Sequence, residues 1–303
     1  APMFESWGDG ARSLTDAVTA LTGGKGGAYP SGTSLLIRGA SESVIIDPSV
    51  TVVEKGAPAD VDAVINSHGH EDHMAGNGSF PNARIHMHDD DLPAAHGIDG
   101  LLAIFGYNIG DNPEMALTFQ EEFHYTPRPD ATGFQDGHVW DLGGGVSVEA
   151  VHLPGHTRGH SGFRITGGIF FLSDIDLSGF GPYYGDVWSD LDQFEESLVI
   201  AREEDAKYYV TFHHKGIIEE RETFLQMLDA FEAVIPRRHQ AMLDFLAEPR
   251  TITEMVEHRF VYRPGVEVVF ADSVEERTAR LHIARMRTRG EIEDFGNGLI
   301  RAI

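Results

Sequence analysis

The sequence predicts an α/β fold, and three observations carry that expectation. Short apolar, β-branched runs at residues 61–66, 146–151, 169–172 and 208–212 read as buried strands that empty into polar loops. Residues 189–204 have the periodicity of an amphipathic helix, opened by Ser189 and acidic residues. Beyond residue 219 the character becomes helical: Thr251-Ile252-Thr253-Glu254 and Ser273-Val274-Glu275-Glu276 each read as a capping box.

In order along the chain, residues 14–21 read as a helical patch, and Gly23-Gly24-Lys25-Gly26-Gly27 as a flexible loop without the spacing of a phosphate-binding motif. Residues 34–39 and 43–47 alternate like the strands of a hairpin, and 83–88 reads as a further strand. Residues 92–135 show little periodicity and are expected to be an irregular insertion serving as lid, binding loop or contact surface. Pro154-Gly155 makes a turn that aims His156, and residues 177–188 form an aromatic loop expected to roof a site with Phe180, Tyr183, Tyr184 and Trp188. Residues 236–246 read as one helix, Thr251 opens a second, and Ser273 opens a third that runs to Arg289 and stops at Gly290. Gly296-Asn297-Gly298 then centres a hairpin within residues 291–303.

Composition bounds the function. A chain of 303 residues can hold one large domain, expected at 1–230, and a small one at 231–303. It lacks any long apolar run and any cysteine, and its first residues lack the basic and apolar parts of a signal peptide, so a cytoplasmic protein is expected. Acidic residues number 48 against 23 basic, a balance that repels phosphate backbones and anionic lipids and leaves a small-molecule substrate as the expected partner. Solubility in a salty environment explains the same charge equally well.

The chemistry is concentrated in Ser67-His68-Gly69-His70-Glu71-Asp72-His73, which offers three imidazoles and two carboxylates directly after a buried strand. Residues two apart in extended backbone point the same way, so His68 and His70 can close on one ion while Asp72 and His73 reach a second. Gly69 is expected to let the backbone bend tightly. Without cysteine, any metal must be held by nitrogen and oxygen.

This His-x-His-x-Asp-His pattern resembles the metal-binding motif of the metallo-β-lactamase fold superfamily. Similar to the family's further motifs, in order, are Leu153-Pro154-Gly155-His156-Thr157-Arg158-Gly159-His160-Ser161, Phe170-Phe171-Leu172-Ser173-Asp174 and Tyr209-Val210-Thr211-Phe212-His213-His214. The resemblance implies a four-layer αββα sandwich with metals at one edge of its two sheets. One ion would take His68, His70 and His156, the other Asp72, His73 and His213, with Asp174 shared. Two alternatives stay open beside this set: Asp176 two residues after Asp174, and His214 beside His213. The resemblance also implies that Asp47 supports the site from behind its ligands and that His160 holds its loop by hydrogen bonds. Asp47 reads equally as a turn cap before Pro48.

Such a site implies two zinc ions, although iron or manganese can occupy the same donors. It implies hydrolysis of an ester, thioester or lactone carbonyl by a metal-bridging hydroxide, with Asp72 orienting the nucleophile and moving its proton. Leu177 stands where lactonases of this fold commonly carry tyrosine, and Lys215 is the basic residue beside the last histidine. Two alternatives are a mononuclear iron oxygenase of the persulfide-dioxygenase kind and a non-enzymatic metabolite-binding protein. The order helix, helix, helix, hairpin resembles a small winged-helix appendage. Arg277, Arg280 and Arg287 would share one face of its last helix, but the negative charge favours docking on the catalytic domain, or a homodimer, over DNA binding.

Overall fold

The computed structural model describes residues 4–266 and 268–303. Two sheets face each other. Among the described residues the first has seven strands in sequence order: β1 (Ala11–Ser13), β2 (Val18–Leu21), β3 (Ser34–Arg38), β4 (Ser43–Ile46), β5 (Ala63–Ile65), β6 (Arg84–His88) and β7 (Thr132–Phe134). The second has six, with β8 (Val139–Gly143) at one edge, then β9 (Val146–His152), β10 (Ser161–Ile165), β11 (Ile169–Ser173), β12 (Tyr208–Thr211) and β13 (Ile217–Ile218). β4, β5, β6 and β7 run parallel, as do β11 and β12.

Strand alternation builds the layers. Leu35, Ile37, Val44, Ile46, Ala63 and Ile65 face the second sheet and meet Val148, Ala150, Phe163, Phe171 and Val210 there. Their neighbours Leu36, Ile45 and Val64 point outward against α3 (Ile98–Ile104) and α4 (Pro113–Glu121), which follow α1 (Val50–Lys55) and α2 (Leu92–His96) in the chain. From the second sheet, Phe170, Leu172 and Tyr209 point the other way, against α5 (Leu191–Glu203) and α6 (Arg221–Glu232). Both faces of each sheet are therefore apolar, and removing each large side chain from water contributes about 2 kcal/mol to holding the four layers together.

After α6 the chain forms α7 (Val234–Phe245), α8 (Ile252–His258), α9 (Ala271–Arg289) and the hairpin β14 (Ile292–Gly296) and β15 (Leu299–Ala302). These elements enclose a cluster of their own around Met242, Met255, Ile283, Met286 and Ile300. Thr251 caps α8 in a complete capping box with Glu254, and Gly290 ends α9 in the left-handed conformation at φ 68°.

Four expectations need correction. Residues 14–21 are not helical: β2 finds hydrogen-bonding partners on both sides, and tertiary pairing overrides the local helical pattern. Residues 92–135 are not irregular but hold α2, α3 and α4, which are too short to show a 3.6-residue period. Asp190, not Ser189, caps α5, accepting from the Gln193 N–H at 2.9 Å. Nor does Ser273 open α9, which starts at Ala271; Glu275 instead accepts the backbone N–H groups of Phe260, Val261 and Tyr262. That carboxylate pins the segment before α9 against the helix.

Candidate metal centre

The strands deliver their loops to one edge of the sandwich. Asp47 follows β4, the 66–73 loop follows β5, His156 lies between β9 and β10, Asp174 follows β11, and His213 lies just past β12. Asn66 and Asn77 exchange side-chain amide bonds at 2.8 and 3.1 Å, and the Asn66 amide also donates to the His73 carbonyl, so the first loop is fixed at its root. Gly69 lies in a backbone bend, as expected, and also serves close packing. A Cβ there would stand 2.7 Å from Ala94 Cβ and 3.0 Å from Ile104 Cδ1.

Two groups of donors result. His68, His70, His156 and Asp174 converge in one, and Asp72, His73 and His213 in the other. His70 Nδ1 lies 3.0 Å from His68 Nε2 and 3.1 Å from His156 Nε2. Such spacings suit nitrogens about 2.0–2.1 Å from a shared tetrahedral ion, which sit roughly 3.3 Å apart. In the second group His213 Nε2 is 2.9 Å from Asp72 Oδ2. Asp174 spans both, with Oδ2 3.1 Å from His156 Nε2 and Oδ1 3.1 Å from His73 Nε2.

The outer nitrogens explain why the inner ones converge. His68 Nδ1 faces the Ser67 hydroxyl at 2.9 Å, and His73 Nδ1 faces Asp47 Oδ2 at 2.7 Å. His70 Nε2 faces Asp186 Oδ2 at 2.6 Å, His156 Nδ1 the Tyr183 carbonyl at 2.9 Å, and His213 Nδ1 the Ser31 carbonyl at 2.9 Å. Each acceptor holds the ring N–H, so the remaining lone pair of all five imidazoles is directed inward. His73 Nε2 and Asp174 Oδ1 are buried without a hydrogen bond of their own despite their proximity. Inward lone pairs and orphaned buried atoms are the arrangement a bound cation would satisfy, so the donor set fits a pair of metal ions.

Electrostatics agree. Burial opposes charge on His70 and His213, yet the neighbouring carboxylates outweigh it, Asp186 for His70 and Asp174 with Asp72 for His213, and lift both to about 9. A site this acidic demands compensating positive charge. Burial and then Asp72 push Glu71 up to about 7, and its Oε1 accepts the Tyr29 hydroxyl at 2.7 Å. Asp47, Ser173 and His214 all sit at positive φ (47°, 52° and 54°), strain that clusters around the centre.

Several placements follow the sequence. Asp47 accepts the Ser67 N–H at 2.7 Å as well as facing His73, so it supports ligands from behind. His160 donates from Nδ1 to the Leu153 carbonyl at 2.9 Å, and its Nε2 accepts the Asp174 N–H at 3.2 Å, which holds the loop. Asp174 rather than Asp176, and His213 rather than His214, enter the donor groups.

A cavity of about 320 Å³ opens on the centre and is lined by Phe180 and Tyr183, together with Asp176 and His214. Tyr184 and Trp188, expected in its wall, turn away. Tyr184 is buried and donates its hydroxyl to His282 Nε2 at 2.9 Å, while Trp188 packs with the outer core and under the Arg158 guanidinium. Adjacent residues of one loop cannot all face the same way. Lys215 is exposed and outside the cavity. Of the proposed basic face of α9, Arg277 donates to the Phe105 carbonyl while Arg280 and Arg287 pair with Glu276 and Asp294.

Sequence reasoning missed Tyr29, Asp91, Phe105, Asp186, Tyr262 and Phe270. Asp91 is wholly buried and accepts from Gly69 N, Thr157 Oγ1 and Gly159 N at 2.9, 2.5 and 2.7 Å, tying the two histidine loops together. The other five line the cavity or support His70 from segments far apart in sequence.

Fold and site together define an αββα sandwich built to hold cations at the ends of its strands. The chain belongs to the metallo-beta-lactamase superfamily, whose family model matches residues 30–214. Over 158 residues it is 29% identical to a hydroxyacylglutathione hydrolase of Aeromonas hydrophila, a match covering 49% of this chain and about half (48%) of that enzyme. A metallo-beta-lactamase family protein from Thermus thermophilus superposes with a TM-score of 0.69 at 20% identity, covering 96% of this chain and 100% of that one. A beta-lactamase domain protein from Burkholderia ambifaria gives 0.67 at 16% identity, covering 97% and 93%. The two structural likenesses show the sandwich fold. No helix among the described residues is long and apolar enough to cross a membrane.

Proposed function

We propose that the protein is a dinuclear, zinc-dependent hydrolase of an ester, thioester or lactone with a partly apolar acyl group. The observation that carries this reading is Asp174, whose two oxygens each reach one of the two donor groups. Bound metal would supply a water of near-neutral pKa and an electrophile for the carbonyl oxygen. His68, His70, His156 and Asp174 would hold one ion, and Asp72, His73, His213 and Asp174 the other. Asp72, a member of the second group, also lines the cavity, where its carboxylate could orient the attacking water and take its proton. Phe105, Phe180 and Phe270 give the acyl chain an apolar wall, and Tyr183 holds Asp186, the acceptor that orients His70, at 3.1 Å. The relative from Aeromonas hydrophila, named for a thioester hydrolysis, supports the reaction class.

Elemental analysis of purified protein and of His70→Ala tests the centre. The expected result is about two zinc ions per chain in the wild type and fewer in the variant, with turnover of at least one member of an ester, thioester and lactone panel. One iron per chain, with oxygen consumed in the presence of a persulfide, would replace the proposal with the oxygenase reading. A full metal complement without turnover of any panel member would leave a binding protein.

A further inference from the structure

A second cavity of about 580 Å³ adjoins the first and shares Phe180 and Tyr262 with it, two rings whose centroids are 5.6 Å apart. Its walls differ in charge. No lysine or arginine lines the first cavity among the described residues, whereas Glu71, Asp72, Asp174 and Asp176 do. The second is lined by Arg237, Arg238 and Arg263 over an apolar floor that includes Val234 and Phe260.

The three arginines are not equivalent. Arg238 is buried and committed, donating to the Pro182 and Phe180 carbonyls at 2.5 and 2.7 Å, which fixes the loop that separates the cavities. Arg237 and Arg263 are exposed at the cavity and make no ion pair or side-chain hydrogen bond among the described residues. Arg84, Arg164, Arg202, Arg285 and Arg301, by contrast, all find carboxylates in this acidic chain. Two guanidiniums lining one cavity with an apolar floor each offer planar, bidentate donors suited to a carboxylate or phosphate.

We propose that the second cavity is a subsite for the anionic far end of the substrate, a carboxylate or a phosphate, reached past the Phe180–Tyr262 pair while the acyl end lies at the metal centre. This rests on the hydrolase reading for the acyl end. The unpaired guanidiniums lie in the second cavity and none lies in the first among the described residues, so an anionic tail finds its side-chain counter-charge there while the carbonyl meets the metal centre. Both free arginines come from beyond residue 230, which gives that part of the chain a role in substrate selection.

Calorimetric titration of the metal-loaded protein with three stable thioethers tests the assignment. All carry one hexyl group on sulfur, with tails derived from mercaptoethanol (neutral), mercaptopropionate (carboxylate) and phosphopantetheine (phosphate). The wild type is expected to favour an anionic tail over the neutral one by about tenfold, a preference that shrinks with added salt, and the better of the two anions identifies the source. Arg237→Ala/Arg263→Ala should bring that ratio close to one, and Arg237→Lys/Arg263→Lys should restore part of it. Equal binding of all three tails by the wild type, or a preference that survives in the alanine variant, overturns the subsite. Preferential binding of an anionic thioether without hydrolysis of the matching thioesters would instead overturn the hydrolase reading and leave the subsite standing.

Discussion

Asp47 and Asp91 show how much of the centre depends on carboxylates that touch no cation. Asp47 aligns His73 and, through Ser67, His68. Asp47→Asn keeps the shape but weakens the acceptor for the His73 N–H, so metal affinity should fall roughly 10- to 100-fold, read by competition with a chelator. An unchanged affinity would mean that packing against Phe212, whose ring centroid is 3.8 Å away, orients His73 instead. Asp91→Ala would leave three buried donors unpaired and should cost about 3 kcal/mol in urea unfolding. A loss below about 1 kcal/mol would show that water replaces the carboxylate. The two roles were not equally legible. Asp47 ends a recognisable strand, whereas Asp91 stands third in Asp89-Asp90-Asp91, and nothing local marks which of the three faces inward.

At the level of elements, β3, β4, β5, β6, β9, β11 and β12 were legible because each carries apolar residues beside turn signals, whereas β2 read as helix; every donor of the centre sits in a loop that follows a strand. Pro154-Gly155 reads as a turn, but the structure adds a harder constraint. Gly155 has φ +128°, and a Cβ there would lie 2.3 Å from the Phe194 backbone nitrogen in α5. Gly155→Ala should therefore cost about 3 kcal/mol or more and displace His156, lowering both thermal stability and metal content. Thr251→Ala removes a complete capping box from α8, with an expected loss of about 1 kcal/mol by chemical denaturation. The helices α2 and α3 escaped sequence reading because five and seven residues are too few for a 3.6-residue period to show.

Across the whole molecule, a chain of side chains joins the loop beside the cavity to the C-terminal elements. The Tyr184 hydroxyl meets His282 Nε2 at 2.9 Å, His282 Nδ1 meets His239 Nδ1 at 3.0 Å, and His239 Nε2 meets Glu291 Oε2 at 2.8 Å. Burial, then His239 and the guanidiniums of Arg285, Arg238 and Arg289, hold His282 down to about 3. The unfolded chain takes up this proton near its ordinary value of about 6.5, long before the folded one, so stability is present above that pH and is lost as pH falls. Between pH 6.5 and 5 the loss from this residue should be about 2 kcal/mol. His282→Gln should show a correspondingly shallower fall in urea unfolding over that range, and equal slopes would exclude His282 as the source.

The amino-acid order by itself marked the strand ends that carry histidines and aspartates, because ligand spacing and apolar runs are local properties of a few residues; the four-layer sandwich was implied by the resemblance of those motifs to a family. Only the tertiary structure decided what surrounds the centre. Tyr29, Phe105 and Tyr262 meet around one cavity, and Arg237 and Arg263 around the next, because sheet pairing and helix packing close long loops. Residues that share no segment leave no common pattern in the sequence, so their meeting is fixed only when the layers come together.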